Sequence, residues 1–144
     1  MENNDKHFQL TDNYIKTYEM NVNEKIPENA VIDFDCRLSV SIVKIEQAGE
    51  KKLGQIDMDY FITLRNKEKH LGNIHLVMQA LFTISSVVKN EEFEMLLRYK
   101  GAPMLSQIVR AYICSNTALS GMPTIKIPMF NFVEFFKEAE KNKK

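Results

Sequence analysis

Two pairs of carboxylates at alternate positions, Asp33 with Asp35 and Asp57 with Asp59, are the first places in this sequence where chemistry can be sought. Hard cations favour several carboxylate oxygens, so the Asp-x-Asp pairs offer themselves as ligands of a metal-dependent enzyme. On a strand, however, successive same-face residues stand roughly 6.5 to 7 Å apart, which suits a shared ion poorly unless loops add ligands. His7, His70 and His75 have neither the spacing nor the Cys or Glu neighbours of a zinc or general-base site. Ser and Cys residues sit in no nucleophile motif, and no glycine-rich phosphate loop is present. Cys36 and Cys114, far apart and set among apolar neighbours, fit reduced structural thiols better than a disulfide framework. The residues therefore assign no catalytic group, no metal and no cofactor, and an enzyme using the Asp pairs is the weaker reading. What the chain has in excess is apolar: nine Phe and eight Met without a Trp. Such residues either fill a core or make adaptable surfaces that accept many partners.

The elements that position these residues can be read from periodicity. Between Val31 and Ile45 the apolar residues Ile32, Phe34, Cys36, Leu38, Val40 and Ile42 fall on even numbers, with Asp33, Asp35, Arg37, Ser39 and Ser41 between them. That is a long half-buried strand. After a turn at Gln47 to Lys52, alternation resumes from Gly54 to Leu64, which makes a hairpin. A third run covers Ile74 to Ile84, and a less regular strand holds Tyr14, Lys16, Tyr18, Met20 and Val22. Helical spacing follows in Glu91 to Tyr99 and in Pro103 to Leu119, with Gly101-Ala-Pro103 as a breaker, and a short aromatic helix carries Phe132, Phe135 and Phe136. Strands in series joined by short loops, then helices, predict an α+β domain: a four-stranded antiparallel sheet with its apolar face covered by the C-terminal helices.

At 144 residues the chain fits one domain, 1–144, with mobile tails expected at 1–12 and 137–144. Nineteen basic and nineteen acidic residues give no net charge and no field that recruits nucleic acid. No apolar run approaches the roughly 20 residues that span a bilayer, and the polar, acidic start is unlike a signal peptide, so a cytoplasmic protein without membrane insertion is expected.

The succession of three local patterns carries a resemblance. Leu81-Phe-Thr-Ile84 closes a strand, Leu105-Ser-Gln-Ile-Val-Arg110 with Ile113 and Thr117 lies on a long helix, and Gly121-Met-Pro-Thr-Ile-x-Ile-Pro-x-Phe-Asn-Phe132 forms a Pro-punctuated arm leading into the last helix. In this order and spacing the chain, from about Tyr14 to Phe136, resembles the bacterial protein-export chaperone SecB and its relatives. The resemblance implies a SecB-like homo-oligomer, dimer or tetramer, that holds unfolded polypeptide clients without ATP. By analogy the client groove would involve Phe34, Leu38, Phe82, Met122, Met129 and Phe130. It also implies that Asp33, Asp35, Asp57 and Asp59, all of odd parity, form an acidic sheet face of the kind that docks the SecA motor, although Arg37, Arg65, His75 and Gln79 dilute it. Some relatives instead serve one partner, such as an antitoxin, and the sequence leaves that alternative open.

Overall fold

Strict alternation of apolar and polar side chains builds a sheet whose two faces differ in kind. In the computed structural model, which describes residues 7–27 and 29–142, four strands come first: β1 (Gln9–Val22), β2 (Asp33–Ala48), β3 (Lys51–Asn66) and β4 (Lys69–Ser85). They form one antiparallel sheet in the spatial order β1-β4-β3-β2. The register sets even residues opposite even ones, Met58 against Met78 and Val40, Tyr60 against Leu76 and Leu38. One face is therefore uniformly apolar, and Ile56, Met58, Tyr60, Ile62, Leu64, Ile74, Leu76 and Phe82 on it are completely buried. The strands are longer than the alternation alone delimits because the hairpin turns are tight. Gly49 and Lys67 take left-handed backbone angles (φ 65° and 58°) that reverse the chain within two residues.

β1 departs from the expected pattern. Bulges between Leu10 and Asp12 and between Ile15 and Thr17 reset its parity. Tyr14 and Lys16 thus stand on the outer face beside Gln79 and Asp57, while Tyr18 and Met20 face inward. The strand begins at Gln9, so residues 9–12, expected in a tail, are part of the sheet. β1 and β2 lie on opposite edges. The chain after β1 turns across the end of the sheet, where Ile26 is buried and the Asn23 N–H donates to the Leu71 carbonyl at 2.8 Å.

The cover is one continuous but distorted helical run: α1 (Asn90–Leu96), a π-helical turn (Leu97–Gly101) and α2 (Ala102–Leu119). The expected breaker does not break it. Gly101 keeps right-handed helical angles (φ −67°, ψ −50°), and the wide π turn absorbs the backbone donor that Pro103 lacks. Gly101 is also a point of close approach, since a Cβ there would lie 3.0 Å from Ile56 and 3.3 Å from Phe82. Phe93, Leu97, Leu105, Val109 and Ile113 seal the helices onto the sheet. The arm after α2 is pinned by its backbone twice: the Ile125 N–H donates to Thr117 Oγ1 (2.9 Å) and the Ile127 carbonyl accepts from Arg110 Nε (2.7 Å). It leads to α3 (Phe132–Asn142), which takes up residues 137–142 of the expected C-terminal tail; residues 1–6 and 143–144 of the two tails lie outside the described residues.

Candidate functional site

The buried core stops at β3. Phe34, Cys36, Leu38, Val40 and Ile42 occupy the same apolar face on β2, yet each stays only half-buried. Between β2 on one side and α1, the π turn and α3 on the other runs an open cavity of about 490 Å³. Five consecutive β2 residues, Leu38 to Ile42, line it with Glu94, Arg98, Phe135, Phe136, Ala139 and Glu140. Residues of both parities take part, so the cavity follows the free edge of the strand as well as its apolar face. Among the described residues β2 pairs only with β3, which leaves alternate backbone N–H and C=O groups along this edge unbonded within the sheet.

The far wall is aromatic. Phe136 packs edge-on against Tyr99 (5.7 Å between centroids) and Phe135 (5.2 Å), and Phe132 lies within 6.2 Å of both Phe135 and Phe136. Arg98 lies over the Phe136 ring at 5.9 Å while donating to Glu94 at 3.2 Å, so its charge is held at the rim. On the covered face of the sheet, Phe130 meets Tyr60 edge-on at 6.2 Å, and the Tyr60 hydroxyl shares a 3.0 Å hydrogen bond with Ser106. Burial pushes the Tyr60 hydroxyl up to about 12 despite the Ser106 bond, and pushes the Cys36 thiol up to about 11. Both are neutral near pH 7, so Cys36 offers no thiolate nucleophile. Among the described residues no three His, Cys, Asp or Glu side chains converge as a metal site requires, and no helix is long and apolar enough to cross a membrane.

The six residues expected to share a groove do not share one. Phe34 and Leu38 stand on the half-covered face of β2, Leu38 lines the cavity, and Phe130 packs on Tyr60, the cross-strand neighbour of Leu38. Phe82 is a core residue with no exposure, stacked under Phe8 at 5.2 Å and facing Gly101, and lines no open surface. Met122 is buried at the β1 side, lining a separate pocket with Met20, Val22, Lys25 and Ile26. Met129 is 65% exposed beside α2, where its sulfur accepts from Gln107 Nε2 at 3.6 Å. Val40, Ile42, Phe135 and Phe136 were not singled out as groove residues. The continued alternation past Leu38 and the helical spacing of the three C-terminal Phe residues carry that signal.

The four Asp residues do lie on the outer face, but not as one free acidic patch. Asp35 pairs with Arg65 at 2.6 Å. Asp57 accepts from Gln79 (2.9 Å) and Gln55 (3.3 Å) and meets Lys16 at 3.5 Å, and Asp59 meets His75 Nε2 at 2.9 Å. Asp33 is exposed. Between the two Asp pairs, Arg37 lies over the Phe61 ring at 5.5 Å, directly across the strands from it. The outer face is thus an internally compensated mixture of charges with half-buried Phe61, Val77 and Leu81.

No family model and no curated protein matches the sequence. Among solved structures, the fold matches the Mycobacterium tuberculosis Rv1957 SecB-like chaperone in complex with a ChAD peptide from the Rv1956 HigA1 antitoxin, with a TM-score of 0.65 over 86% of this chain and 91% of that one. The fold is SecB-like. At 13% identity the likeness is one of architecture, since few side chains coincide. A protein of unknown function from Streptococcus agalactiae aligns at 14% identity over 84% of this chain and 96% of that chain, with a TM-score of 0.48.

Proposed function

We propose that this protein is an ATP-independent molecular chaperone that holds unfolded or non-native polypeptide segments in the groove between β2 and α3. The observation that carries the reading is the groove itself, a channel that runs along a free strand edge and pairs the apolar Leu38, Val40, Ile42, Phe135 and Phe136 with the polar Ser39, Ser41, Glu94, Arg98 and Glu140. An extended segment laid there bonds its backbone to β2 and inserts alternate side chains against Leu38, Val40, Phe135 and Phe136, so recognition needs no particular sequence. Three inserted apolar side chains contribute about 6 kcal/mol at roughly 2 kcal/mol each. Ordering the segment and losing its freedom takes back much of that, so one groove binds weakly. Grooves multiplied in an oligomer would restore affinity for long unfolded chains. A dimer or tetramer is part of the proposal, supported by the second free edge, β1, which exposes Tyr14 and Val22. The test is dilution of a chemically unfolded client into buffer with and without the protein, followed by light scattering. Holding predicts that stoichiometric protein suppresses aggregation equally with and without ATP. Unchanged aggregation of several unrelated clients would remove the general reading.

A dedicated version, serving one partner such as an antitoxin, is supported by two observations. The matching solved structure holds an antitoxin peptide. In addition, three of the four outer-face carboxylates are already engaged by Arg65, Lys16, Gln79 and His75, which leaves little free acid for a basic secretion motor such as SecA. Pulldown from the native cell with mass spectrometry distinguishes one stoichiometric partner from a broad spread of unfolded clients, and cell fractionation tests the cytoplasmic location that is part of the proposal.

A further inference from the structure

The free edge of β2 borders a second depression, on the other side of the sheet. There a hollow of about 440 Å³ is lined by Arg37, Leu38, Ser39, Asp59, Phe61 and His75. Leu38 and Ser39 also line the groove on the inner face, so the two hollows meet at one point of the edge strand. The floor of the outer hollow is ordered. Arg37 lies over the Phe61 ring at 5.5 Å, the His75 ring stands 5.8 Å from that of Phe61, and His75 Nε2 meets Asp59 Oδ1 at 2.9 Å. Asp59 is thereby engaged one strand back from the edge, and Asp35, the neighbouring outer-face residue on β2, is held by Arg65 at 2.6 Å. Arg37 is exposed, and among the described residues the Phe61 ring is the only partner of its side chain. A guanidinium stacked on a ring keeps the N–H groups around its rim available to a planar acceptor.

We propose that this hollow is a subsite of the holding groove, which takes a carboxylate side chain from the same extended client segment. The inference rests on the proposed holding along β2. Successive side chains of a strand point to opposite faces. A segment paired to the β2 edge therefore sends alternate residues into the inner groove, against Val40 and Phe136, and the residues between them to the outer face beside Arg37 and Ser39. Directly opposed residues on neighbouring strands stand about 4.5 to 5.5 Å apart, close enough for a Glu or Asp side chain to reach a guanidinium. The inner groove asks only for apolar side chains at every second position, and the outer hollow adds a preference for acid at one position between them. The client class that fits is an amphipathic strand, apolar on one face and acidic on the other.

The probes are short fluorescein-labelled peptides of alternating Leu and Thr, with Glu, Gln or Lys in place of the central Thr, read by fluorescence anisotropy. A further peptide carries its Glu one residue along, at a Leu position. The parent binds the Glu peptide about threefold to fivefold more tightly than the Gln peptide and about tenfold more tightly than the Lys peptide. Arg37→Gln removes the preference, and Arg37→Glu reverses it, with Lys then ahead of Glu. Glu at the Leu position binds more weakly than the Gln peptide, because its carboxylate is then covered among Val40 and the Phe rings. Equal binding of the Glu and Gln peptides by the parent, or an order of preference that Arg37→Glu leaves unchanged, overturns the outer subsite. The Gln peptide tests the groove separately. If it binds the parent and is lost in Val40→Asp while charge at the centre has no effect, the groove stands and the subsite falls; if none of the peptides binds, both fall together.

Discussion

Replacing Val40 by Asp separates a groove wall from a core wall. Val40 faces the apolar side of β2 opposite Met58 and lines the cavity, yet is only half-buried. Losing its partial burial costs folding about 1 kcal/mol, and a carboxylate placed where water already reaches adds little to that. For a bound client the arithmetic differs. The apolar side chain that would lie on Val40 loses about 2 kcal/mol of burial, and covering the new carboxylate removes polar surface from water at about 2 kcal/mol more. The sum of about 4 kcal/mol weakens binding on the order of a thousandfold for a segment occupying one groove. Anisotropy of a labelled unfolded client measures it, with thermal unfolding as the check on folding and Val77→Asn, on the outer face, as the control. A folded Val40→Asp protein that binds within twofold of the parent refutes the groove assignment. A protein that fails to fold shows instead that the inner face of β2 belongs to the core.

Three further outcomes follow from the same structure. Gly72→Ala is expected to destabilise the domain by several kcal/mol in denaturant titration, since its Cβ would lie 2.1 Å from the Asn21 carbonyl oxygen on β1 and backbone cannot move aside easily; a loss under 1 kcal/mol would contradict the β1–β4 pairing. Alkaline pH should unfold the protein early: Cys36 is raised from 9.0 to about 11 and Tyr60 from 10.0 to about 12, so the native state holds two protons that the unfolded state has released, and stability present below pH 9 falls between pH 9 and 12 by up to roughly 2 to 3 kcal/mol for each group. Tyr60→Phe should remove the part of that fall between pH 10 and 12 while costing about 1 to 3 kcal/mol at pH 7 for the stranded Ser106 hydroxyl; an unchanged slope between pH 11 and 12 would reject Tyr60 as its source. Charge reversal at Asp57 and Asp59 should leave client holding intact, because both project from the outer face, and should weaken and desalt any docking of a basic partner; loss of holding would place the client on the wrong side of the sheet.

Much of the fold was legible because β2, β3 and β4 follow one rule: Phe34 to Ile42, Ile56 to Leu64 and Ile74 to Ile84 place an apolar residue at every even number, with Phe61, Val77 and Leu81 the odd-numbered exceptions. Where local chemistry inserts a residue, as in the bulges of β1, parity fails and Tyr14 and Lys16 emerge on the opposite face. The run through Gly101 and Pro103 was unreadable for another reason. A π turn looks like a helix break in sequence, and only the close approach of Gly101 to Ile56 and Phe82 shows why the helix continues. For the site, alternation marks which face is apolar but not where the cover ends. Phe82 and Leu38 carry the same signal, yet one is sealed beneath Gly101 and the other faces open space. Pairing is equally invisible along the chain: Asp57 and Asp59 are plain as acids, while their partners Lys16, Gln79 and His75 come from other strands.

Hydrogen exchange with and without a bound unfolded client tests the holding groove most directly. Along β2, backbone amides alternate between those bonded to β3 and those pointing out of the sheet. The account predicts that client binding slows exchange at the outward amides of Leu38 to Ile42 and at the first turns of α3, with little change along β4. Protection confined to other elements, or none along β2 under conditions where the client is demonstrably bound, would contradict it.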